Sequence, residues 1–567
     1  MKNYFRGFAV IILPAVFLFS SFNLTKTEEE IEETNKLKVS FVDELEDLFI
    51  DSKIPGRAKT KFIADVPRGS IAGVHILLNG LTENQILDFS VRLNGHLVSS
   101  AKWYRLVDIP VEMNSGLEKR LGDDNPYVIR KAPFRVFDAL EPVGSRVNIT
   151  SSVTALRLEI PIGQDEKTGK KELKIEISSG GQKKTLAFVI NIYKTVIPQV
   201  GKESFPYTNW FSFDNIAGYH DLEIWAEEYW EMLEKYAALM AYSRQNMFRI
   251  PVKHIFDSLS PLKYELNTMR LRRIVEIFST AGLYYIEGGQ LGTRTKGEWA
   301  SETFSVLSGD GLVSTSLEGH ILIENLCSQL MSEIDKNGWQ DRWLQHIADE
   351  PTESNATDFR IFTGIVRKYM PGIPLVEAVF DANLAGALDI WCPNLIRYHG
   401  NQDFYEQYRK QGDKIWIYTA LNPRNRLLNR LMDMERMRPM LIGWAASLYN
   451  LDGYLHWGLN IWRFPPENIN QMAPFNQTVV PGVNLPPGDS HVTYPGPEGP
   501  WSSSRLVAHR IGFEDYELLK MLKAKKPEKT KEIINKVIRS FTDYTKDPAV
   551  YRKVRKEMLQ ELDTHSN

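Results

Sequence analysis

Cysteine is almost missing: Cys327 and Cys392 are the only two in 567 residues, too few for a disulfide framework. Neither follows the apolar run at the start, so no lipid-bearing cysteine stands there. No HExxH, Walker loop or close Cys/His set is present, which argues against the usual zinc and nucleotide sites, and no cofactor is expected. The glycine-rich IEGGQLG lacks the spacing and following helix of a dinucleotide loop. A net charge of -3 gives no basic field to hold nucleic acid. The apolar run Phe8–Phe19 falls short of the about 20 residues that span a bilayer.

What is there begins with that run. Lys2 and Arg6 precede it and Ser20-Ser21 follow it, the pattern of a secretory signal peptide over 1–22. The protein is expected to be exported, periplasmic or secreted, with no membrane span once the signal is removed. Residues 23–55, acidic and poor in apolar side chains, read as a linker. Over 56–199, IAGVHILLNGL, LDFSVRLNGHLV, VTALRLEIPIG and KELKIEISSG alternate apolar and polar residues between glycine turns, which predicts an all-β sandwich. Over 200–525, FPYTNWFSF, QNMFRIPV, LYYIEGGQL, WLQHIADEP, PLVEAVF, ALDIWCP, KIWIYTA and GYLHWGLNIW read as strands one to eight. Helical periods separate many of them, at 222–244, 266–280, 318–336, 355–369 and 429–450. Order and size predict a (β/α)8 TIM-like barrel. Residues 526–567 read as a helical C-terminal tail.

Barrel enzymes carry reacting groups at the C-terminal ends of their strands, which singles out Asp349-Glu350-Pro351 at the end of strand four. Pro351 disfavours helix at Glu350, so the pair is expected extended at the strand mouth. Two close carboxyls do not ionise equally. That split supplies a neutral acid beside an anion, which glycosidic cleavage needs. The same triplet suits a solvated loop or a helix start; its strand-end position favours chemistry. On strand eight, Leu455, Trp457, Leu459 and Ile461 share a face expected to pack on helices, while His456, Gly458, Asn460 and Trp462 share the other, expected at the site. Trp210, Arg249 and Trp391 end strands one, two and six, and Tyr418 faces away from Ile417 on strand seven. These are substrate-binding candidates, since aromatic rings stack on sugar C–H faces. Strand seven ends IWIYTALN, without the carboxylate a conventional retaining glycosidase uses as nucleophile. Glu287 or Glu377 could substitute, although buried structural carboxylates are the plainer reading of both. Otherwise the substrate's own 2-acetamido carbonyl would attack.

Three blocks together, HIADEP, RPMLIGWAASLYNLDGYLHWGLNIW and GDSHVTYPGPEGPWSSSRLVAHRIGFEDYELLKML, resemble glycoside hydrolase family 123 and the related DUF4091 domain. The resemblance implies an exo-acting retaining β-N-acetylgalactosaminidase working by substrate-assisted catalysis. It makes Glu350 the general acid/base and Asp349 the group that orients and polarises the acetamide. Tyr418, Asn460 and Trp462 would contact the sugar or its acetamide; His456 stands where the family would carry an aromatic such as tyrosine. The implied partner is a glycan or glycoconjugate with a terminal amino sugar. Two alternatives stay open: a two-carboxylate β-glycosidase of another sugar, using Glu350 with Glu377 or Glu287, and a catalytically silent carbohydrate-binding surface protein.

Overall fold

The computed structural model describes residues 36–117, 124–380, 383–462 and 485–564. The signal-peptide reading of 1–22 lies outside them, and no described helix is long and apolar enough to cross a membrane. Residues from Leu37 onward form a single unit.

Two sheets come first. One is ordered Lys38–Val42, Ile71–Asn79, Val153–Pro161, Lys102–Val111, Phe134–Val143, Gly499–Ser503, Tyr494–Gly496; the other is ordered Lys61–Arg68, Gln182–Val196, Gly169–Ser179, Ile86–Leu93, His96–Leu97. Alternate residues, such as Val74, Ile76 and Leu158 from one and Phe89, Ile175 and Phe188 from the other, meet in one apolar core. Each such buried side chain contributes roughly 1.5–3 kcal/mol.

Two features depart from expectation. The linker expected over 23–55 has ended by Leu37, because KVSFV has the alternation of a strand. Lys38–Val42 pairs with Ile71–Asn79, and Leu37, Val39 and Phe41 join the core. The hairpin Tyr494–Gly496/Gly499–Ser503, expected with the 200–525 region, instead extends the first sheet through Ser502↔Leu140 and Ser503↔Ala139.

Eight parallel strands follow: β1 (Tyr207–Asn209), β2 (Met247–Ile250), β3 (Tyr285–Gly288), β4 (Trp343–Gln345), β5 (Val376–Val379), β6 (Ile390–Pro393), β7 (Lys414–Thr419) and β8 (Gly453–His456). They fall into a three-stranded sheet, β2-β3-β4, and a five-stranded sheet, β1-β8-β7-β6-β5. A parallel bridge, Gln345↔Leu375, links the sheets at one side; at the other, the Asn246 N–H donates to the Tyr207 carbonyl at 3.3 Å. Intervening helices are α1 (Glu227–Tyr242), α2 (Thr268–Thr280), α3 (Leu317–Asn337), α4 (Ala356–Tyr369), α5 (Gln402–Gln411) and α6 (Met437–Tyr449), with α7 (Ser504–Lys525) after β8. Between β5 and β6 the described residues make a turn and no helix.

Met247, Leu344, Val376, Ile390, Cys392, Trp416, Tyr418 and Leu455 share one apolar cluster between the two sheets, while Ile415, Ile417 and Tyr454 pack with the helices. A Cβ at residue 453 would stand 2.4 Å from the Trp416 ring, so Gly453 lets β8 run close against that indole. The expected faces of β8 are therefore reversed. Leu455 and Trp457 join the inner cluster, and His456 turns outward. Both faces of a buried parallel strand are apolar, so alternation separates two faces without saying which is inner.

The C-terminal helices, Pro527–Val537 and Pro548–Asp563, complete the expected tail. Arg552 of the last one pairs with Asp43 and Glu44 beside the first strand, each at 2.9 Å. A second tie is the fully buried Asp138 of Phe134–Val143, which accepts from Arg436 (2.7 Å), Arg505 (3.0 Å) and the Tyr494 hydroxyl (2.7 Å).

Candidate active site

From the end of β4 the chain runs through buried His346, Ile347 and Ala348 to Asp349 and Glu350. Glu377 on β5 fixes this exit: its Oε2 accepts the N–H groups of Ile347 (2.9 Å) and Ala348 (3.1 Å). Glu350 then turns with φ of 50°, a left-handed conformation that costs a non-glycine residue on the order of 1–3 kcal/mol. This corrects the extended geometry expected from Pro351, which disfavours only the right-handed helix. Two contacts fix the turn. Arg294 donates to the Glu350 carbonyl, and the Tyr418 hydroxyl donates to Glu350 Oε1 at 2.5 Å. Asp349 opens into a cleft of about 730 Å³, lined also by Trp210, Arg249, Gln290, Asp214 and Ile461. That volume suits a small organic ligand. Glu350 and Tyr418 stand next to Asp349, outside this lining, on the β7 side.

Asp349 is exposed to the cleft and Glu350 half-buried, yet the protein packed around both withdraws solvent and raises both pKa values. For Glu350 the Tyr418 hydrogen bond and the Arg294 cation oppose that rise. Asp349 is raised further by Glu350 and Glu377, against the opposing charges of His346 and Arg249. The ligand-free pair thus keeps one proton into the neutral range, and Glu350, hydrogen-bonded as an anion, ionises the more readily.

Behind the cleft wall lies a buried network. The Trp210 indole N–H donates to Glu287 Oε1 at 2.5 Å, and Thr208 donates to Glu287 Oε2 at 2.8 Å. His346 joins two carboxylates: its Nε2 is 2.7 Å from Glu287 Oε1 and its Nδ1 is 2.8 Å from Glu377 Oε1. Glu287, His346 and Glu377 are all fully buried. In front of it, Arg249 lies over the Trp210 ring at 4.7 Å and donates to Gln290.

Of the residues expected at the site, Asp349, Glu350, Trp210, Arg249 and Tyr418 come together. Four do not. Trp391 points outward, stacked on Tyr408 of α5 at 4.3 Å with its N–H on Asp413; Cys392 is the inward residue of β6. His456 is buried against Arg430, 2.6 Å from its guanidinium. The Asn460 amide brackets Ser212, accepting its N–H at 2.8 Å and donating to its carbonyl at 3.1 Å. Trp462 donates to the Thr493 carbonyl at 2.8 Å and packs beside Tyr219. None of the four lines the cleft, although Asn460 holds Ser212, which does. Sequence reasoning missed Gln290, Arg294 and His346. The first two follow the glycines of IEGGQLGTR, where a Cβ at 288 would lie 2.3 Å from Gln345; that close approach was the available signal. Among the described residues no three His, Cys, Asp or Glu side chains form a metal cluster.

The catalytic-domain model of glycoside hydrolase 123 matches residues 315–522, a span that includes Asp349, Glu350 and Tyr418. Among solved structures, the fold is similar to that of a family 123 glycoside hydrolase from Clostridium perfringens, described for glycolipid glycan hydrolysis. The two share 13% identity with a TM-score of 0.68, over 93% of this chain and 97% of that one. A β-glucuronidase from Parabacteroides merdae reaches a TM-score of 0.32 at 9% identity, over 84% of this chain and 51% of that one, too remote to carry an argument. No curated protein matches.

Proposed function

We propose that the chain is a family 123 glycoside hydrolase, a reading supported by the catalytic-domain match over 315–522 and the similar fold, and that it is an exo-acting retaining enzyme removing terminal β-linked N-acetylgalactosamine. The 2-acetamido carbonyl oxygen attacks the anomeric carbon while Glu350 protonates the departing glycosidic oxygen, giving an oxazoline-type intermediate. Water, deprotonated by Glu350, then opens that intermediate with net retention. Asp349 accepts the acetamide N–H and stabilises the positive charge that develops on the amide.

One observation carries this reading: among the described residues, the cleft offers the pair no second carboxylate partner of ordinary kind. Glu287 and Glu377 spend their oxygens on His346, Trp210, Thr208 and backbone N–H groups. Asp214 stands at the rim in a 2.6 Å pair with Lys253. β7 presents Tyr418 where a nucleophile would stand. The ligand-free pair holds its proton on Asp349, and substrate entry supplies what moves it. An acetamide N–H gives Asp349 the donor it lacks, favouring its anion, and the proton passes to Glu350 as general acid.

We read the two parallel sheets as one closed (β/α)8 barrel; the Gln345↔Leu375 bridge and the shared inner cluster support this. Export rests on the basic, apolar and small-residue pattern of 1–22.

A panel of para-nitrophenyl glycosides tests the activity. Release is expected from the N-acetyl-β-galactosaminide, with inhibition by the matching thiazoline. Release from a non-acetamido sugar alone, indifferent to thiazoline, would sink the mechanism.

A further inference from the structure

The buried network behind the cleft forms a path that the chemistry above does not use. It starts at Trp210 on the cleft wall and crosses Glu287, His346 and Glu377. It ends on the N–H groups of Ile347 and Ala348, the two residues preceding Asp349. The His346 ring also meets the Trp210 indole edge to face, with centroids 5.3 Å apart.

We propose that His346 is a positioning residue, fixing the Trp210 indole through Glu287 and, through Glu377, the backbone that aims Asp349 and Glu350. The proposal rests on reading those two as the reacting carboxylates. A neutral imidazole has one N–H and could serve only one of its two carboxylate neighbours; an imidazolium serves both. The groups around the ring favour the charged form. Glu287 faces it from β3 and Glu377 from β5. Arg249 on β2, Cys392 on β6 and Asp349 lie within electrostatic reach of the same carboxylates. Burial alone would lower the pKa of His346, but the two carboxylates outweigh it and bring it up to about 9. The ring therefore keeps both protons at neutral pH. Its charge in turn favours the ionised form of Asp349.

His346→Gln keeps a donor and removes the charge. In the full chain, with para-nitrophenyl N-acetyl-β-galactosaminide, kcat should fall roughly 100-fold, as misplacement by about 1 Å does, with KM within about threefold. Both limbs of the pH profile should move to higher pH, because a cation that favoured ionisation of the pair is gone. Unmoved limbs, or kcat and KM lost together with folded protein, would leave His346 merely structural and overturn the proposal. A second measurement needs no turnover. In 15N-histidine-labelled parent enzyme, one resonance at pH 7 should report a doubly protonated ring and change to singly protonated in Glu377→Gln. A singly protonated His346 in the parent overturns the proposal whatever sugar is cleaved. A parent inactive on acetamido glycosides would instead sink the functional reading, leaving the labelled spectrum to decide this one.

Discussion

Tyr418 gives Glu350 a hydrogen bond that favours the carboxylate over the acid. Tyr418→Phe removes it, so the acid limb of kcat/KM, where Glu350 ionises while Asp349 still holds its proton, should move to higher pH; a rate profile across pH 4–10 checks this (about a unit or less, the scale of one hydrogen bond). Glu350→Gln should lower kcat by about 10²–10⁴-fold, the usual contribution of a general acid, with the melting temperature little changed. An inactive variant that has also lost its fold would not count in favour. The Asp349-Glu350 pair was legible in the sequence because strand position filters acidic residues, and DEP stood at the end of an apolar strand. Its proton distribution was not legible. That depends on Tyr418 and Arg294 approaching Glu350 from β7 and from the loop after β3, which no local pattern encodes.

Individual strands show the same limit. Each of the eight was readable from its apolar run, and four helices fell near their expected spans, since 3.6-residue periodicity survives without tertiary information; the helix expected over 429–450 starts only at Met437, and Gln402–Gln411 was not foreseen. Orientation was harder. Trp391 and His456 look like strand-end site residues, yet one packs beneath α5 and the other against Arg430. A strand with two apolar faces gives no cue to which is inner. The placement of Trp391 makes a prediction opposite to that of a sugar platform. Trp391→Ala should cost about 3–5 kcal/mol of stability, as large-to-small core changes do, while KM for the aryl glycoside stays unchanged. Denaturant titration and steady-state kinetics on the same preparation separate the two.

At the scale of the whole molecule, Asp138 is the most informative side chain. Burial opposes its charge, but Arg505, Arg436 and Tyr494 more than offset this and lower its pKa to about 2. Its folded pKa is thus below the unfolded value of about 3.9, so the stabilisation is fully present above about pH 4 and is lost as pH falls through the folded value. Asp138→Asn should destabilise by about 3–5 kcal/mol at neutral pH, because two arginines lose their buried counter-charge. The gap between parent and variant in urea should narrow as pH drops from 4 toward 2. The hairpin beside Asp138 has a further consequence, in time. Val136 on the Phe134–Val143 strand bridges Phe49, made earlier, but Ala139 and Leu140 pair with Ser503 and Ser502 of the hairpin; Tyr494 follows Asp138 by 356 residues, so at ribosomal rates of about 5–20 residues per second this part of the edge stays open for roughly 20–70 s during synthesis. An open strand edge invites pairing with other chains. Completion of the first sheet therefore waits on a segment of the chain made much later than the strand it covers.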